Sequence, residues 1–412
     1  MNRENLPEVV LAVTLGLLFV VVATYRTAQD PKPGVRRRAA MASLLVYAFI
    51  AAPVFVTTGM TFWLLLILLV ALALPLVATT LSGRRTRDPE GAGESAVRVL
   101  VGTGLVTALL ISAGETLSLL GRIDPRMVVI VIAVIAALVV VGQGLVGGSR
   151  AGSLALWLLI VPALISIALG IFLGSASAAI SPIILVPPPS WAAVVVVAVG
   201  LFVIGWADNT LRLTTGATGP GPWRTWLGAA VVVTAIAFGQ LMFLGGAVIA
   251  PSLQFFVLPA NLDALPGLAG VMLAILTVVF TALVALVLTG AADAGAAGTG
   301  TTRTWVVVVA LVAAGIALFD PGLDQILVVT ALAGAALVGA HLGARAIGRG
   351  VAAGLITAAI AAVLLTVTSR LELEVATLGA LIVVFLVALV AARLGTPASV
   401  EPTPQEQVVA GD

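Results

Sequence analysis

Side chains that could do chemistry are scarce in this chain, and most of them lie inside long apolar segments. Only 9% of the 412 residues are charged, and there is no cysteine, which excludes a thiolate nucleophile, a disulfide and a thiolate metal site. His341 is the only histidine, so no imidazole pair can hold a haem or a zinc ion. No paired carboxylates, nucleophile–base set or phosphate-binding glycine loop is visible. The sequence therefore argues against an enzyme and against a bound organic cofactor.

Glu115 and Gln240 are two candidates for contact with a bound solute or ion. Glu115 stands in the apolar stretch ALLISAGETLSLLG, and a carboxylate inside hydrocarbon is costly unless it faces a cavity or a partner. It could hold a proton or a cation, or it could instead bond neighbouring hydroxyls or reach the outer interface. Gln240 stands in AIAFGQLMFLGG and could contact a substrate, although an interhelical hydrogen bond is the commoner use of such a side chain.

Four further polar positions have structural interpretations that compete with functional ones. Asp208 and Asn209 close an apolar run, and Arg212 follows one turn later. This pattern is typical of a helix-end cap beside an inner-loop charge, with a gating ion pair as the alternative. His341 ends a later apolar run, where a place at the membrane interface is the plainer interpretation.

Thirteen apolar segments must position these side chains. The chain is 61% hydrophobic, and no soluble domain has a surface that apolar. Each segment is about long enough to cross the hydrocarbon core. The predicted segments are 7–25, 39–58, 61–82, 98–120, 127–146, 153–175, 190–207, 225–250, 267–290, 304–319, 323–344, 350–368 and 373–393. The sequence predicts an all-α polytopic membrane protein, with one transmembrane domain over 1–394 and a disordered cytoplasmic tail over 395–412.

The distribution of basic residues predicts the orientation. Alternation through thirteen spans places most of the 20 Lys and Arg residues on one side if the N-terminus is outside and the C-terminus is cytoplasmic. The basic balance is therefore a topology signal and indicates no nucleic-acid partner. The first segment has no basic leader and no cleavage motif, so we expect it to be retained. We expect a multi-pass protein of a bacterial plasma membrane, with the lipid bilayer as its surroundings.

Two segments carry helix-breaking residues near the membrane midplane. Pro53 follows Ala52 in the second segment, and Gly200 and Gly205 lie in the seventh. Transporters with inverted repeats break corresponding helices in this way to expose backbone dipoles to a substrate. The two segments are five apart, as two five-helix repeats require.

Three stretches resemble the sodium:solute symporter family. Val139–Leu158, with Gly147 and Gly148, is similar to the turn between its fifth and sixth helices. Gly205–Thr215 resembles its seventh helix and the loop after it, and Leu342–Leu355 resembles the loop that opens its twelfth helix. Thirteen helices with the N-terminus outside are common in that family, closest to its proline and acetate/monocarboxylate branches.

The resemblance implies a fold and a site. The fold is a LeuT-type inverted repeat, with a first repeat at 39–175, a second at 190–346 and extra helices at 7–25, 350–368 and 373–393. The activity is sodium- or proton-coupled symport of a small organic solute. The residues implied around the solute are Ala52, Pro53, Gly200 and Gly205, joined by Gln240 and Glu115 from their own sequence contexts.

The side-chain half of the sodium site is incomplete. The family's ninth helix carries an adjacent hydroxyl pair, whereas here Thr277 and Thr281 are one turn apart. Sodium prefers several hard oxygen ligands, by analogy with other hard cations. The second hypothesis is therefore a degenerate, non-transporting relative that serves as a partner or sensor subunit in the membrane.

Overall fold

The computed structural model describes residues 33–56, 68–85, 91–121, 123–173, 191–216, 222–244, 268–298, 301–368 and 374–395, together with Thr14 and Leu18. Within these ranges the chain forms helices and no strand. The helices are α1 (Pro33–Val56), α2 (Ala73–Arg85), α3 (Ala92–Gly121), α4 (Pro125–Leu173), α5 (Trp191–Ala207), α6 (Asn209–Gly216), α7 (Pro222–Leu244), α8 (Leu268–Gly298), α9 (Thr302–Leu318), α10 (Leu323–Gly343), α11 (Ile347–Val367) and α12 (Val375–Leu394).

The prediction of a polytopic all-α membrane protein is confirmed. Each predicted segment from the second to the thirteenth coincides with a helix, because every backbone polar group in a span must be bonded within the chain. Seven of the described helices are long and apolar enough to cross a membrane, or eight if a bent pair counts as one span. The first predicted segment, apart from Thr14 and Leu18, lies outside the described residues, as does the predicted tail after Gly395.

The turn expected at Gly147 and Gly148 lies three residues earlier. Gly144 has φ 60° and ψ −149°, a conformation open to glycine and strained for other residues. It divides α4 into spans Pro125–Gly144 and Val146–Ile165. Gly148 is helical and faces Thr289 of α8, where a Cβ atom would collide with the threonine side chain. The sequence therefore identified the correct corner but assigned the turn to glycines that serve helix packing.

The helix breaks also differ from the predicted ones. The second and seventh predicted segments were expected to unwind at Pro53 and at Gly200–Gly205. Instead, α1 is helical through Pro53 to Val56, and α5 is helical through both glycines. The observed break is at Asp208, where α5 and α6 meet at 66°. Pro53 lies within the last turn of α1, so little helix remains beyond it to be interrupted.

One helix, α8, forms the centre of the bundle. It packs against α3 and α4 over its length, with α9 beside it and α6 against its second half. A second group forms around α10, which contacts α5, α11 and α12. The break between α5 and α6 lies where these two groups meet, since α5 packs on α10 and α6 packs on α8 and α1.

Candidate functional site

The break between α5 and α6 is built around one buried carboxylate. Asp208 is 3% exposed. Its Oδ1 accepts a hydrogen bond from the backbone N–H of Thr210 at 2.8 Å, which caps α6, and its Oδ2 accepts one from the Tyr47 hydroxyl of α1 at 2.9 Å. The hydroxyls of Ser43 and Thr214 lie 3.4 Å apart, one turn away on each helix. Asp208 is therefore a helix cap, as predicted, and its bond to Tyr47 also joins α6 to α1.

The residues after Asp208 fasten α6 to the central helix. The Asn209 amide nitrogen donates to the Gly290 carbonyl at 2.9 Å and to Oδ2 of Asp293 at 3.1 Å. The Thr210 hydroxyl donates to the Val287 carbonyl at 3.3 Å. The two helices approach this closely because Gly290 has no side chain: a Cβ there would collide with the Thr210 backbone.

A second chain of hydrogen bonds leaves the break on the other side. The Trp206 indole nitrogen of α5 donates to Nδ1 of His341 on α10 at 2.8 Å, and His341 Nε2 lies 3.0 Å from Oε1 of Glu94 on α3. Indole is a donor only, so His341 Nδ1 must be the acceptor. The imidazole is then neutral, with its proton on Nε2 donated to Glu94. His341 is thus part of a buried network in the last turn of α10, and its place at the membrane interface stays a prediction.

Two arginines add positive charge near Glu94. Arg98 is fully buried on α3, one turn after Glu94, and Arg212 lies on α6. Both are close enough to Glu94 to interact with it electrostatically. The network therefore combines carboxylates, guanidinium groups and neutral donors from α1, α3, α5, α6, α8 and α10. Among the described residues, no group of three or more His, Asp or Glu side chains could hold a metal ion.

Thr277 and Thr281 lie on α8 as predicted, and both are buried. Their hydroxyls donate to the carbonyls of Leu273 and Thr277, each at 2.7 Å, within the same helix. Because each hydroxyl is the donor, these two bonds do not use the oxygen lone pairs. Thr281 precedes Gly290 by nine residues, or about 14 Å along a helix axis, so the two threonines are not part of the network at Asp208.

The predicted glycines serve close helix packing. A Cβ at Gly200 would contact Ala331 of α10, and one at Gly205 would collide with the backbone of Pro75. The Thr79 hydroxyl donates to the Gly205 carbonyl at 2.8 Å. Both glycines therefore hold α5 against its neighbours.

The remaining predicted residues are Ala52, Pro53, Gln240 and Glu115. The backbones of Ala52, Pro53 and Gln240 are helical, and their side chains lie outside the described set. Glu115 is half-buried on α3, and its carbonyl accepts a bond from the Ser118 hydroxyl. It follows Glu94 by 21 residues, about 31 Å along the helix, and so lies at the opposite end of α3.

A cavity of about 400 Å³ lies between α3, α9, α10 and α11. Its walls are aliphatic apart from Thr103, Thr107 and Thr330. Each of these hydroxyls donates to a carbonyl of its own helix. The cavity therefore suits an apolar occupant and offers little to orient a polar solute.

Signals for the network in the sequence are weak. Glu94 and Arg98 are spaced i and i+4 on one helix, a spacing typical of an ion pair within a helix. Tyr47 is one of two tyrosines and His341 the only histidine. Trp206 carried no signal that would separate it from other apolar residues.

Comparison with known proteins finds similarity among solved structures. No protein-family model and no curated protein matches the chain. Among solved structures, the chain is similar to a Na⁺-coupled sialic acid symporter in a substrate-bound outward-open state, in which a novel Na⁺ site was described. The TM-score is 0.61 at 14% sequence identity, over 95% of this chain and 98% of the symporter chain.

The fold is that of a sodium-coupled symporter. The chain is a polytopic, multi-pass membrane protein, and the match extends over nearly its whole length. At 14% identity the likeness shows the fold alone. It gives no support to the acetate/monocarboxylate or proline branch, because the similar structure is a sialic acid symporter.

Proposed function

We propose that this protein is a secondary active transporter that couples a cation gradient to symport of a small organic solute by alternating access. The observation that carries this proposal is the 66° bend between α5 and α6, which together are long and apolar enough for one span, with the buried Asp208 at the bend. Ionisable side chains inside spans are costly and usually belong to substrate or ion pathways. Broken helices in transporters place such groups and helix ends near the site.

The predicted residues enter this proposal as follows. Ala52, Pro53, Gly200, Gly205, Gln240 and Glu115 stay the residues proposed for the solute path. If sodium is the coupling ion, Thr277 and Thr281 of α8 would offer it hydroxyl oxygens, and backbone carbonyls would supply further hard ligands. The solute is a small organic anion or zwitterion, such as a monocarboxylate, an amino acid or a sialic acid.

We also propose the bacterial plasma membrane as the location, with the N-terminus outside and the C-terminus in the cytoplasm. In this orientation the start of α3 and the end of α10 face the cytoplasm. The Glu94–His341 pair joins these two ends, so the network closes the bundle on its cytoplasmic side. The uptake direction would then require this network to open after the solute has entered from outside.

The test is uptake by the purified full chain in proteoliposomes. Radiolabelled sialic acid, acetate and proline are offered with an inward sodium gradient, with an inward proton gradient and with neither, and protein-free vesicles serve as the control. We expect accumulation of at least one solute that needs one of the gradients. Gradient-independent or absent accumulation of all three solutes, together with absent binding to the purified protein, contradicts the proposal for these solute classes.

Specific observations favour the second candidate, a non-transporting partner or sensor subunit. The helix α1 is unbroken through Pro53, and the hydroxyls of Thr277 and Thr281 bond their own helix. A protein of this kind would show no flux in the uptake assay but would co-purify from its native membrane with another membrane protein.

A further inference from the structure

We infer that the coupling ion is a proton and that Asp208 carries it, an inference that rests on the transporter function proposed above. The observation behind it is that this carboxylate joins two helices at the break, is buried within the bundle and is held only by uncharged donors. A site of this kind changes its charge and its hydrogen bonds when one proton binds or leaves.

The first step concerns the partners of the carboxylate. In the described part of the chain, the hydrogen bonds to Asp208 come from the Tyr47 hydroxyl, from the backbone N–H groups of Thr210 and Leu211 and from the Thr210 hydroxyl. All of these donors are neutral. An ionised carboxylate that is buried without a cationic partner is expensive, and a proton removes that cost without moving the side chain.

The second step concerns the charged groups around the break. The charged or titratable side chains of the network are Glu94 and Arg98 of α3, Arg212 of α6, Asp293 of α8 and His341 of α10, with Tyr47 of α1. Within the described residues no ion pair joins any of them to Asp208. His341 is bonded to Glu94, the two arginines act on Glu94, and Asp293 accepts from Asn209. The ionisation of Asp208 therefore depends on burial, on its neutral donors and on access to water.

The third step links the proton to conformation. Ionised Asp208 accepts from Tyr47 on α1 and caps α6, and hydrogen bonds to a charged acceptor are the stronger ones. A proton on Oδ2 forms a new O–H bond, so that Tyr47 must become the acceptor or lose its bond. The cap on α6 is also weaker with a neutral carboxyl group. Protonation therefore loosens the junction of α1 and α6, and deprotonation tightens it, which shifts the balance between two arrangements of the broken helix.

The direct test reads the carboxyl group itself and needs no solute. Infrared difference spectra are recorded on the full chain in vesicles of phosphatidylethanolamine and phosphatidylglycerol while the pH is changed. We expect a carboxylic-acid C=O band whose intensity changes with pH. The Asp208→Asn variant should lose this band, and Tyr47→Phe should shift its frequency by removing the hydrogen bond. The matched variant Asp293→Asn, an equal change in the same network, should keep the band.

Two results would overturn the inference. One is a spectrum in which no band is lost on Asp208→Asn, and the other is a band that disappears with Asp293→Asn instead. Asparagine has the shape of aspartate and can still accept from Thr210, so the fold should survive the change. Melting curves followed by tryptophan fluorescence check that each variant is folded.

Uptake then separates this inference from the transporter proposal. If a proton gradient drives wild-type uptake of sialic acid, acetate or proline, Asp208→Asn should abolish that uptake. Uptake that follows the sodium gradient alone and survives in Asp208→Asn overturns the proton site and leaves the transporter standing. A titrating band lost in Asp208→Asn, without transport of any solute in the wild type, overturns the coupling role and the transporter proposal but leaves a protonatable Asp208.

Discussion

The helices α8 and α12 are almost equally apolar in sequence, yet they occupy opposite kinds of places in the protein. In the most apolar part of α8 83% of the residues are buried, whereas in α12 the share is 28%. The two helices differ in where their small and hydroxyl-bearing residues stand. In α8 such residues occur on every side, and in α12 the buried ones lie on one stripe, at Thr377, Ala388 and Ala392.

The difference teaches what buries a helix in a membrane. Lipid chains are as apolar as leucine, so hydrophobicity cannot distinguish the centre of a bundle from its edge. Close approach through glycine and alanine, together with interhelical hydrogen bonds, makes that distinction. The helix α8 has both, through Gly290 against Thr210 and through the bonds of its carbonyls to Asn209 and Thr210. The helix α12 approaches α10 and α11 closely on one face, and there the Ala346 backbone N–H donates to the Ala392 carbonyl at 2.9 Å, near the end of the helix.

The largest expected effect comes from one methyl group at the centre. Gly290→Ala places a Cβ against the Thr210 backbone, and we expect a loss of about 2–3 kcal/mol in the free energy of unfolding from overpacking. Gly379→Ala in α12 meets open space and should be neutral or stabilising by up to about 1 kcal/mol, since alanine favours helix. Melting curves in detergent, followed by tryptophan fluorescence, measure both. Equal effects of the two changes would contradict the assignment of α8 to the centre.

The second effect tests the hydrogen bonds between α6 and α8. Asn209→Ala removes the donor to the Gly290 carbonyl and to Asp293, and we expect a loss of about 1–2 kcal/mol, near the upper end for bonds between membrane helices. Thr366→Val removes a hydroxyl that bonds only its own helix at an exposed position of α11. That change should stay within about 0.5 kcal/mol. The same melting assay measures both changes. If Asn209→Ala leaves the free energy of unfolding unchanged, the Asn209 hydrogen bonds do not stabilise the contact between α6 and α8.

The third prediction tests whether α11, at the edge of the bundle, packs closely against α10 and α12 through a glycine. A Cβ at Gly354 of α11 would collide with Ala336 of α10 and Ala388 of α12, whereas one at Gly348 meets nothing. We expect Gly354→Ala to cost about 1 kcal/mol, at the low end for overpacking because lipid-facing helices can move apart. Gly348→Ala should cost nothing. If both changes are silent, α12 is held to the bundle more loosely than its contacts suggest.

The smallest effect on stability compares two fully buried threonines, one in each helix. Thr281→Val and Thr377→Val keep the shape of the side chain, and we expect each to change the free energy of unfolding by less than about 1 kcal/mol. The functional readout separates them. If Thr281 offers its oxygen to sodium, its replacement should raise the sodium concentration needed for half-maximal uptake, while Thr377→Val leaves that concentration unchanged. An unchanged sodium dependence in Thr281→Val removes the residue from the proposed sodium site.

The fold was largely predictable, and the network at the break was not. The predicted segments coincide with helices because a run of apolar residues of the right length has few alternatives in a bilayer. The pairs in the network are separated by 161 residues for Tyr47 and Asp208 and by 247 for His341 and Glu94. Local spacing carries no information about such pairs. The helix break was predicted at Gly205 because a glycine inside a span suggests a break. Its actual role is to let the distant Pro75 pack against α5, and local sequence does not show that contact.

By itself, the sequence determined that the chain crosses the membrane many times as helices, and roughly where each helix begins and ends. The physical reason is that a lipid-exposed backbone must satisfy its own hydrogen bonds, so hydropathy and length leave only helices. Only the tertiary structure decided which helix lies at the centre and which polar side chains meet. Those outcomes depend on close approach and on bonds between residues far apart in sequence, such as Asp208 with Tyr47. Hydropathy assigns almost the same value to the helix at the centre and to the helix at the edge.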